Sequence, residues 1–528
     1  MNLIYRRLVL LTTSYLLTTA CTSQTHTTDI QKPLFQIQPE IYTTAKKTNS
    51  PYLQKIIEDP ANQEIQEVTI NTALVSEDSN TISLPLQNGK TITFTRRPSY
   101  QFGRGMVGWV GGIQSDKRKK STTTTEIEWD PLNWISIMKD GTQIAASIFI
   151  DGKPYRLEPI SANKHVLFHV DESKQPPDQD LTSPAELATA RMWPKSQPSS
   201  THSYIRLLFA TTRQSRAAHP NSHLLLTEQL QNVNTIIKNS GVAITFELAG
   251  FLDSNYDESG KTKIGEILND LTYRMEDVKQ KRDELGADLV SMLVANSERG
   301  GAGKHGPSKQ YGFSVISNLP SLAHEIGHNF GMYHNWEEGE PRDPPYVNGY
   351  RYTGSPRFRT QMSYDCSGGT CPRIPFYSNP NLTYSGIPIG TASHHNVARG
   401  LNERREIVEN FYPDPKSFSI RAWVIGTNNN QCYIPLIRGN DDGTMLIIQS
   451  REECKDNKIV GKSVEIADWQ GVGKLCFANL PKTLMICYSG RLNGERFKID
   501  DLQTGAGKPD ALTFTKRGVG EIHRISFD

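Results

Sequence analysis

A run of eleven residues constrains this chain more than any other feature of its sequence: residues 324–334 are His-Glu-Ile-Gly-His-Asn-Phe-Gly-Met-Tyr-His. On an α-helix, positions i and i+4 share a face, so His324 and His328 can direct two ring nitrogens at one cation about 2.0 to 2.1 Å away. Gly331 can adopt a positive φ at little cost, which lets the helix end and brings His334 back as a third ligand. Three neutral imidazoles with an open fourth position predict a catalytic zinc site, because structural zinc sites are usually closed by four protein ligands.

The carboxylate next to the first ligand, Glu325, predicts the chemistry of this site. Zinc can lower the pKa of a bound water from about 15.7 to about 7, and Glu325 can accept the proton as general base. We therefore expect a zinc-activated water to hydrolyse peptide bonds, with protein or peptide substrates and one catalytic zinc ion. The rival hypothesis is a surface-binding or adhesion lipoprotein whose peptidase domain is inactive or processes only itself. The intact Glu325 argues against that rival.

The extended motif resembles that of the metzincins, zinc endopeptidases named for a methionine turn beneath the metal. Met362, in Arg359-Thr-Gln-Met-Ser-Tyr-Asp365, stands where that turn is expected. The resemblance implies that Met362 forms an apolar floor under the histidines and does not bind the metal. Tyr364 stands two residues later, where astacins and serralysins carry a tyrosine that ligates zinc or steadies the oxyanion. The alternative for Tyr364 is a core tyrosine with a satisfied hydroxyl.

Residues 201–413 are predicted to form an α/β catalytic domain. Apolar periodicity alternates between strand and helix, which favours a mostly parallel, twisted sheet with crossover helices and room for the active-site helix. The segment order resembles the bacterial reprolysin or adamalysin-like branch of the metzincins, although Asn335 stands where adamalysins usually carry Asp. The predicted strands cover residues 203–210, 242–248, 289–295 and 312–316, and the predicted helices run through 226–237, 264–278 and 396–411.

Two β-rich regions flank this domain, so the sequence predicts a multidomain protein. Residues 32–174 alternate between apolar and polar side chains and predict a propeptide-like domain, and the Pro-rich residues 175–200 predict a linker. Residues 417–528 predict a β-sandwich-like accessory domain. The N-terminal region either blocks the cleft or is a permanent structural domain. We expect no cysteine switch, because no cysteine lies between Cys21 and Cys366.

The N-terminus predicts export. Residues 1–20 combine two arginines, a short apolar stretch and small residues, as bacterial signal peptides do. Cys21 is a candidate for lipidation as the first mature residue, and cleavage by the ordinary signal peptidase is the alternative. We expect an exported protein that is anchored to a cell-envelope membrane only through that lipid, or otherwise secreted. In an oxidising compartment Cys366 and Cys371 would form a small disulfide loop beside the specificity pocket. The remaining cysteines, Cys432, Cys454, Cys476 and Cys487, would pair among themselves.

Composition excludes some partners and leaves others open. Lys and Arg number 58 against 56 Asp and Glu, a net charge of +2, which argues against nucleic acid as a partner. A calcium ion finds no support, because the Gly439–Gly443 turn lacks the spacing of an EF-hand. We interpret His305 as an exposed loop residue and the pair at 394–395 as surface histidines near a helix start. Neither the preferred cleavage residue nor the oligomeric state is predicted by the sequence.

Overall fold

The computed structural model describes most of the chain from Pro33 to Tyr412. Within that stretch it leaves out residues 42–49, 77, 87–88, 101–105, 121–124, 162–163, 177–196, 296 and 337–342. Beyond Tyr412 it describes only the backbone of strands between Ile425 and Lys516. The signal peptide, Cys21 and the central part of the predicted linker therefore lie outside the described residues, as do the side chains of the four C-terminal cysteines.

A nine-stranded antiparallel sheet, here called the N-terminal sheet, fills the region before the predicted linker. Its order is β1-β2-β9-β8-β7-β6-β5-β4-β3. Asp151 and Gly152 both have positive φ and form the tight turn between β7 and β8. The region contains α1 (Pro51–Glu58), α2 (Asp116–Lys120), β1 (Phe35–Ile41), β2 (Asn62–Ile70), β3 (Thr81–Pro85), β4 (Thr91–Arg97), β5 (Val107–Gln114), β6 (Trp129–Asp140), β7 (Gln143–Ile150), β8 (Lys153–Ser161) and β9 (Lys164–Val170).

The central segment, residues 201–412, contains a five-stranded sheet that is mostly parallel, as the sequence predicts. Four strands run parallel, and the fifth, β13, pairs antiparallel with β14 at the edge. Along β10 the side chains alternate: Leu207 and Phe209 face one apolar core and Leu208 faces the other, so both faces of the sheet are covered. The sheet is ordered β11-β10-β12-β14-β13, with β10 (Ser203–Thr211), β11 (Ile244–Asp253), β12 (Leu289–Leu293), β13 (Gly301–Gly303) and β14 (Phe313–Ile316).

One predicted helix is wrong, because residues 264–278 belong to two helices. The first ends at Tyr273 and the second starts at Glu276, with Arg274 and Met275 outside helical geometry between them. The apolar pattern continues through the break because Met275 stays buried with its neighbours, so periodicity alone cannot reveal it. The helices of this segment are α3 (Arg213–Ala218), α4 (Ser222–Asn239), α5 (Ile264–Tyr273), α6 (Glu276–Leu285), α7 (Leu322–Asn329) and α8 (Val397–Glu409).

The N-terminal sheet and the central segment share a core. Met138 of β6 and Ala145 of β7 lie in the same buried cluster as Leu226 and Leu230 of α4. Helix α4 is therefore covered on one side by the parallel sheet and on the other by the N-terminal sheet. Among the helices in the described part of the chain, none combines the length and apolarity needed to span a bilayer.

Short ladders and a strand-rich C-terminal region complete the described chain. The first C-terminal sheet, β24-β23-β22-β26-β27 with β21 on β22, is antiparallel and places Cys476 opposite Cys487 in its ladder. A second sheet has the order β25-β28-β29. The β-sandwich arrangement stays a prediction. The strands are β15 (Tyr333–Asn335), β16 (Asn348–Gly349), β17 (Arg351–Tyr352), β18 (Phe358–Arg359), β19 (Asn379–Tyr384), β20 (Ile387–Ile389), β21 (Ile425–Asn428), β22 (Gln431–Gly439), β23 (Met445–Lys455), β24 (Lys458–Ile459), β25 (Val464–Ile466), β26 (Gln470–Ala478), β27 (Met485–Asn493), β28 (Phe497–Asp500) and β29 (Thr513–Lys516).

Candidate metal centre and substrate groove

Helix α7 carries the first half of the motif and ends where the sequence predicts. Gly331 has φ 79°, and the amides of Gly331 and Met332 donate to the carbonyls of His328 and Gly327 at 2.7 and 2.9 Å. These two bonds form a Schellman motif, which satisfies the last carbonyls of the helix and reverses the chain. The reversal leads into β15, which contains His334.

The three histidines of the motif converge. The Nε2 atoms of His324 and His334 are 2.9 Å apart, and each lies 3.1 Å from Nε2 of His328. The Nδ1 groups of His324 and His328 donate to the carbonyls of Gln361 and Met332 at 2.9 and 2.8 Å, so their Nε2 atoms carry lone pairs. Tetrahedral zinc with bonds of about 2.05 Å holds nitrogens about 3.3 Å apart. Lone pairs this close repel each other without a cation between them, so the donor set fits zinc.

Burial keeps the first of these rings neutral. His324 is 1% exposed, and burial, followed by the charges of His328 and of Arg373, holds its pKa well below the usual value. Neutral imidazole is the form that binds a metal. Burial therefore favours the neutral, coordinating form of His324.

Met362 forms the floor that the family resemblance implies. It is fully buried, and a Cβ placed on Gly327 would come within 2.2 Å of its sulfur atom. Gly327 lies on α7 directly before the second histidine, His328. The glycine thus lets the methionine approach the helix backbone directly beneath the ring pair.

The carboxylate of Glu325 lies between α7 and the edge strand β13. A Cβ on Gly301 would stand 2.4 Å from Oε1, and one on Gly303 would stand 3.2 Å from Oε2. Glu325 is fully buried, so these two glycines create the space that it occupies. We call β13 the rim strand, and we use the word groove for the side of the metal centre between the rim strand and residues 351–378, where a substrate is expected to bind.

Tyr364 packs on the third histidine. Its ring centroid lies 4.0 Å from that of His334, and the residue is 37% exposed. The structure therefore does not support the alternative of a core tyrosine. A half-exposed ring against a ligand imidazole is placed to meet a substrate.

A stretch of chain whose cationic character the sequence analysis missed contacts the motif histidines through Gln361 and Tyr364. Residues 351–378, here called the wall, contain four arginines and one carboxylate, Asp365. Asp365 Oδ1 accepts the amides of Cys366 and Cys371 at 2.8 and 2.7 Å, and these two cysteines form a disulfide. The sequence signal for the wall was a local excess of positive charge in a chain whose total positive and negative charges nearly cancel. The arginines are Arg351, Arg357, Arg359 and Arg373.

Two further residues near the motif differ from expectation. His305 is 1% exposed, so its assignment to an exposed loop is wrong; Nε2 donates to the Met332 carbonyl at 3.0 Å, beside the bond from His328. The chain leaving the buried rim strand carries it inward under the turn after α7. Arg404 of α8, also unpredicted, donates to the Phe330 carbonyl at 2.5 Å and so supports the end of α7. Burial lowers the pKa of Arg404 to about 9.

The predicted surface histidines are only half-exposed. The ring of His394 stacks on Trp336 with centroids 4.0 Å apart. His395 bonds Thr391 through Nδ1 at 2.8 Å, and burial lowers its pKa to about 4. Neither belongs to the triad of motif histidines.

Comparison with known proteins agrees with this geometry. A family model, Reprolysin_5 of metallo-peptidase family M12, matches residues 201–378. The peptidyl-Asp metalloendopeptidase of Stenotrophomonas maltophilia strain R551-3 is 31% identical over 72% of this chain and 94% of its own length. That of Xanthomonas campestris pv. campestris is 30% identical over 69% of this chain and 89% of its own. The chain therefore belongs to the M12 family of zinc metallopeptidases and is a metalloendopeptidase.

Proposed function

We propose that this chain is an exported endopeptidase that cleaves proteins at aspartyl residues, with zinc held by His324, His328 and His334. The observation that carries the catalytic part is the convergence of three Nε2 atoms within 3.1 Å, with a buried carboxylate on the same helix. When bound, zinc supplies the Lewis acidity that activates water and polarises the scissile carbonyl.

The chain's own residues perform the other steps. Glu325 accepts the proton of the attacking water and delivers it to the leaving amine, and the space left by Gly301 and Gly303 fixes its carboxylate beside the rim strand. Tyr364, half-exposed on His334, donates a hydrogen bond to the oxyanion that develops on the substrate carbonyl. The carbonyls of Gln361 and Met332 keep the first two imidazoles in the neutral tautomer that leaves Nε2 for the metal.

The wall supports the choice of aspartyl residues. It contains four arginines, and Arg373 and Arg359 lie near enough to His324 for their charges to contribute to its lowered pKa. Guanidinium groups bind carboxylates through directed, charge-assisted hydrogen bonds. The relatives from Stenotrophomonas and Xanthomonas are named for action at peptidyl-Asp.

Export rests on two supports that are independent of each other. The first 20 residues and Cys21 have the composition of a bacterial lipoprotein signal. The Cys366–Cys371 disulfide suits an oxidising compartment outside the cytoplasm. We propose that the mature protein is attached to a cell-envelope membrane through lipid on Cys21.

The test uses a pair of quenched fluorescent peptides that differ only by Asp or Asn at one position. We expect the zinc-loaded protein to cleave the Asp peptide, 1,10-phenanthroline to abolish cleavage, and zinc to restore it. Glu325→Gln should lower kcat by about 10²- to 10⁴-fold, because it removes the general base. Zinc content by mass spectrometry should stay at one ion per chain.

The matched control is Glu276→Gln. It removes an exposed carboxylate on α6, outside the histidine motif, and should retain full activity. Stoichiometric zinc with no cleavage of either peptide, including after proteolytic trimming between residues 177 and 196, would favour the rival binding function. Equal cleavage of the Asp and Asn peptides would refute the specificity while leaving the peptidase assignment intact.

A further inference from the structure

The end of the N-terminal region places a carboxylate on the wall. After β9 the chain forms a short turn, and Glu172 in that turn accepts a hydrogen bond from Nη2 of Arg359 at 2.7 Å. The two residues are 187 positions apart in sequence. The Arg359 side chain is 5% exposed and that of Glu172 is 26% exposed, so the pair lies at the boundary between wall and solvent.

The wall itself fixes the guanidinium of Arg359. Nε donates to the carbonyl of Cys371 at 3.0 Å and lies 3.6 Å from Oδ1 of Asp365, and Nη1 donates to the carbonyl of Ser363 at 3.3 Å. With two of its nitrogens bound to wall carbonyls, the planar group has one orientation, and Nη2 points to Glu172. A guanidinium held in this way is preorganised for a carboxylate.

This guanidinium lies beside the metal centre. Ser363, whose carbonyl it binds, follows the floor residue Met362 directly. Two residues before Ser363, the Gln361 carbonyl accepts Nδ1–H of His324. One short stretch of chain thus supports both the first imidazole and Arg359, so a substrate with its scissile bond at the metal can present a neighbouring side chain to Arg359.

The same turn also contacts the opposite side of the groove. The side-chain Nε2 of Gln175 donates to Oδ1 of Asn318 at 3.4 Å, and Asn318 Nδ2 donates back to Gln175 Oε1 at 2.8 Å. The Asn318 backbone in turn donates to the carbonyl of Gly300, the residue before the rim strand, at 3.0 Å. Residues 172–175 therefore bind both the wall and the rim side.

We infer that Arg359 recognises the aspartyl carboxylate of the substrate and that, in the uncleaved chain, the carboxylate of Glu172 occupies Arg359 in its place. This inference rests on the proposed cleavage at aspartyl residues. A glutamate presents the same carboxylate as an aspartate, at the end of a side chain one methylene longer. Its attachment to the chain makes Glu172 an internal competitor for the specificity residue.

Internal competition has a defined kinetic signature. Substrate and Glu172 exclude each other from Arg359, so Glu172 raises the apparent KM for an Asp substrate without changing kcat. An Asn substrate gains less from Arg359, and Glu172 affects its KM less. A merely structural role for the Glu172–Arg359 pair would change stability and leave this difference between substrates unmoved.

The experiment measures kcat and KM for the Asp and Asn peptides with the full chain, its length verified by intact mass. We expect Glu172→Gln to lower KM for the Asp peptide about three- to ten-fold at unchanged kcat, the range for loss of a half-exposed charge-assisted bond. Arg359→Gln should reduce the Asp-over-Asn ratio of kcat/KM about ten-fold or more, and Arg359→Lys should restore part of it.

Glu67→Gln is the matched control, because Glu67 is a β2 carboxylate with a lysine partner and 25% exposure, nearly the same as Glu172. A KM for Glu172→Gln equal to that of Glu67→Gln, or an Asp preference that survives in Arg359→Gln, would overturn the inference. If Arg359→Gln does not fold, the KM of Glu172→Gln decides alone. Failure of the wild-type chain to prefer Asp refutes the proposed specificity instead, so the two failures are distinguishable.

Discussion

The N-terminal sheet meets the central segment in two contrasting places. Against helix α4 it contributes Arg156, whose Nη1 donates to Glu228 Oε2 at 2.7 Å and whose Nε donates to Glu158 Oε1 at 3.1 Å. The side chains of these three residues are at most 6% exposed. At the groove its last turn contributes Glu172, whose side chain is 26% exposed on Arg359. One contact is sealed from water, and the other is open to water on the side of Glu172.

This difference in exposure indicates that the buried contact anchors the N-terminal sheet on α4, whereas the groove contact only occupies Arg359. In the buried contact every removed partner leaves a charge without compensation, which makes the contact costly to open. Helix α4 extends it with neutral groups: Gln231 donates to Ser136 Oγ at 2.8 Å, and Asn232 donates to Ser147 Oγ at 3.0 Å. At the groove, Glu172 is partly exposed and can return to water, while Arg359 keeps its bonds to the Cys371 and Ser363 carbonyls, so this contact costs less to open. The sheet can therefore stay docked on α4 while Glu172 leaves Arg359.

The largest effect is expected from Arg156→Met. Burial by itself lowers the pKa of Arg156, but Glu228 and Glu158 outweigh burial and raise it, so these two carboxylates are the main stabilisers of the charge. Removing it leaves two buried carboxylates without their cation. We expect a loss of about 3–5 kcal/mol in the free energy of unfolding, measured by urea denaturation.

The double variant Arg156→Met with Glu228→Gln provides the control for that measurement. Because it removes a charge of each sign, it should recover part of the lost stability, and the two substitutions should be strongly non-additive. A loss below about 1 kcal/mol for the single variant would place this contact in the same class as exposed ion pairs and erase the contrast with the groove.

Local spacing explains why the metal centre was predictable from the sequence. His324, His328 and Gly331 lie within three turns of chain, where helix geometry and a glycine φ decide their positions. The wall disulfide joins cysteines only five residues apart. In each of these cases the relevant partner is a near neighbour in sequence.

The residues that the sequence did not predict depend on distant partners. Arg359 meets Glu172 across 187 positions, and Arg404 meets Phe330 across 74. His305 is buried by a turn 27 residues later, so its own surroundings in sequence resemble a glycine-rich loop. No periodicity records such contacts, because they form only when segments far apart in the sequence pack against each other in the fold.

A smaller loss of stability should follow at acidic pH, through a histidine in the N-terminal sheet. His165 of β9 is 1% exposed and accepts the backbone N–H of Ile144 through Nε2 at 3.0 Å, which requires an unprotonated Nε2. Burial lowers the pKa of His165 to about 4 from the usual 6.5. Between these values the unfolded chain binds a proton that the folded chain does not, so stability is full above pH 6.5 and falls as the pH drops toward 4.

The contribution of His165 amounts to about 3 kcal/mol, from about 1.4 kcal/mol per pKa unit. Other histidines with lowered pKa, such as His169, contribute to the same slope, so the informative quantity is the difference between wild type and His165→Gln. A glutamine oxygen can accept the Ile144 amide and does not titrate. The urea midpoint should therefore decrease less between pH 7.5 and pH 4.5 in His165→Gln than in the wild type. Equal falls would show that His165 does not couple the sheet to pH.

The smallest effect tests the weaker half of the groove contact. Gln175 and Asn318 exchange two neutral hydrogen bonds, and bonds of this kind contribute little when water can replace them. We expect Gln175→Ala to lower KM for the Asp peptide by about two-fold or less and to leave the urea midpoint unchanged. Gln54→Ala is the control, because it removes a side-chain hydrogen bond of 2.9 Å from Gln54 to Glu58 on α1, away from the groove.

Combining Gln175→Ala with Glu172→Gln decides whether the turn acts as one body. If Glu172 holds residues 172–175 in the groove, its removal already releases Gln175, so the double variant should have the KM of Glu172→Gln alone. Independent, multiplicative effects would mean that the amide pair keeps the turn in place without the charge. In that case the bonds between Gln175 and Asn318 would anchor the turn, as the buried contact on α4 anchors the sheet. The substrate would then displace only the Glu172 side chain from Arg359 and would not displace the turn.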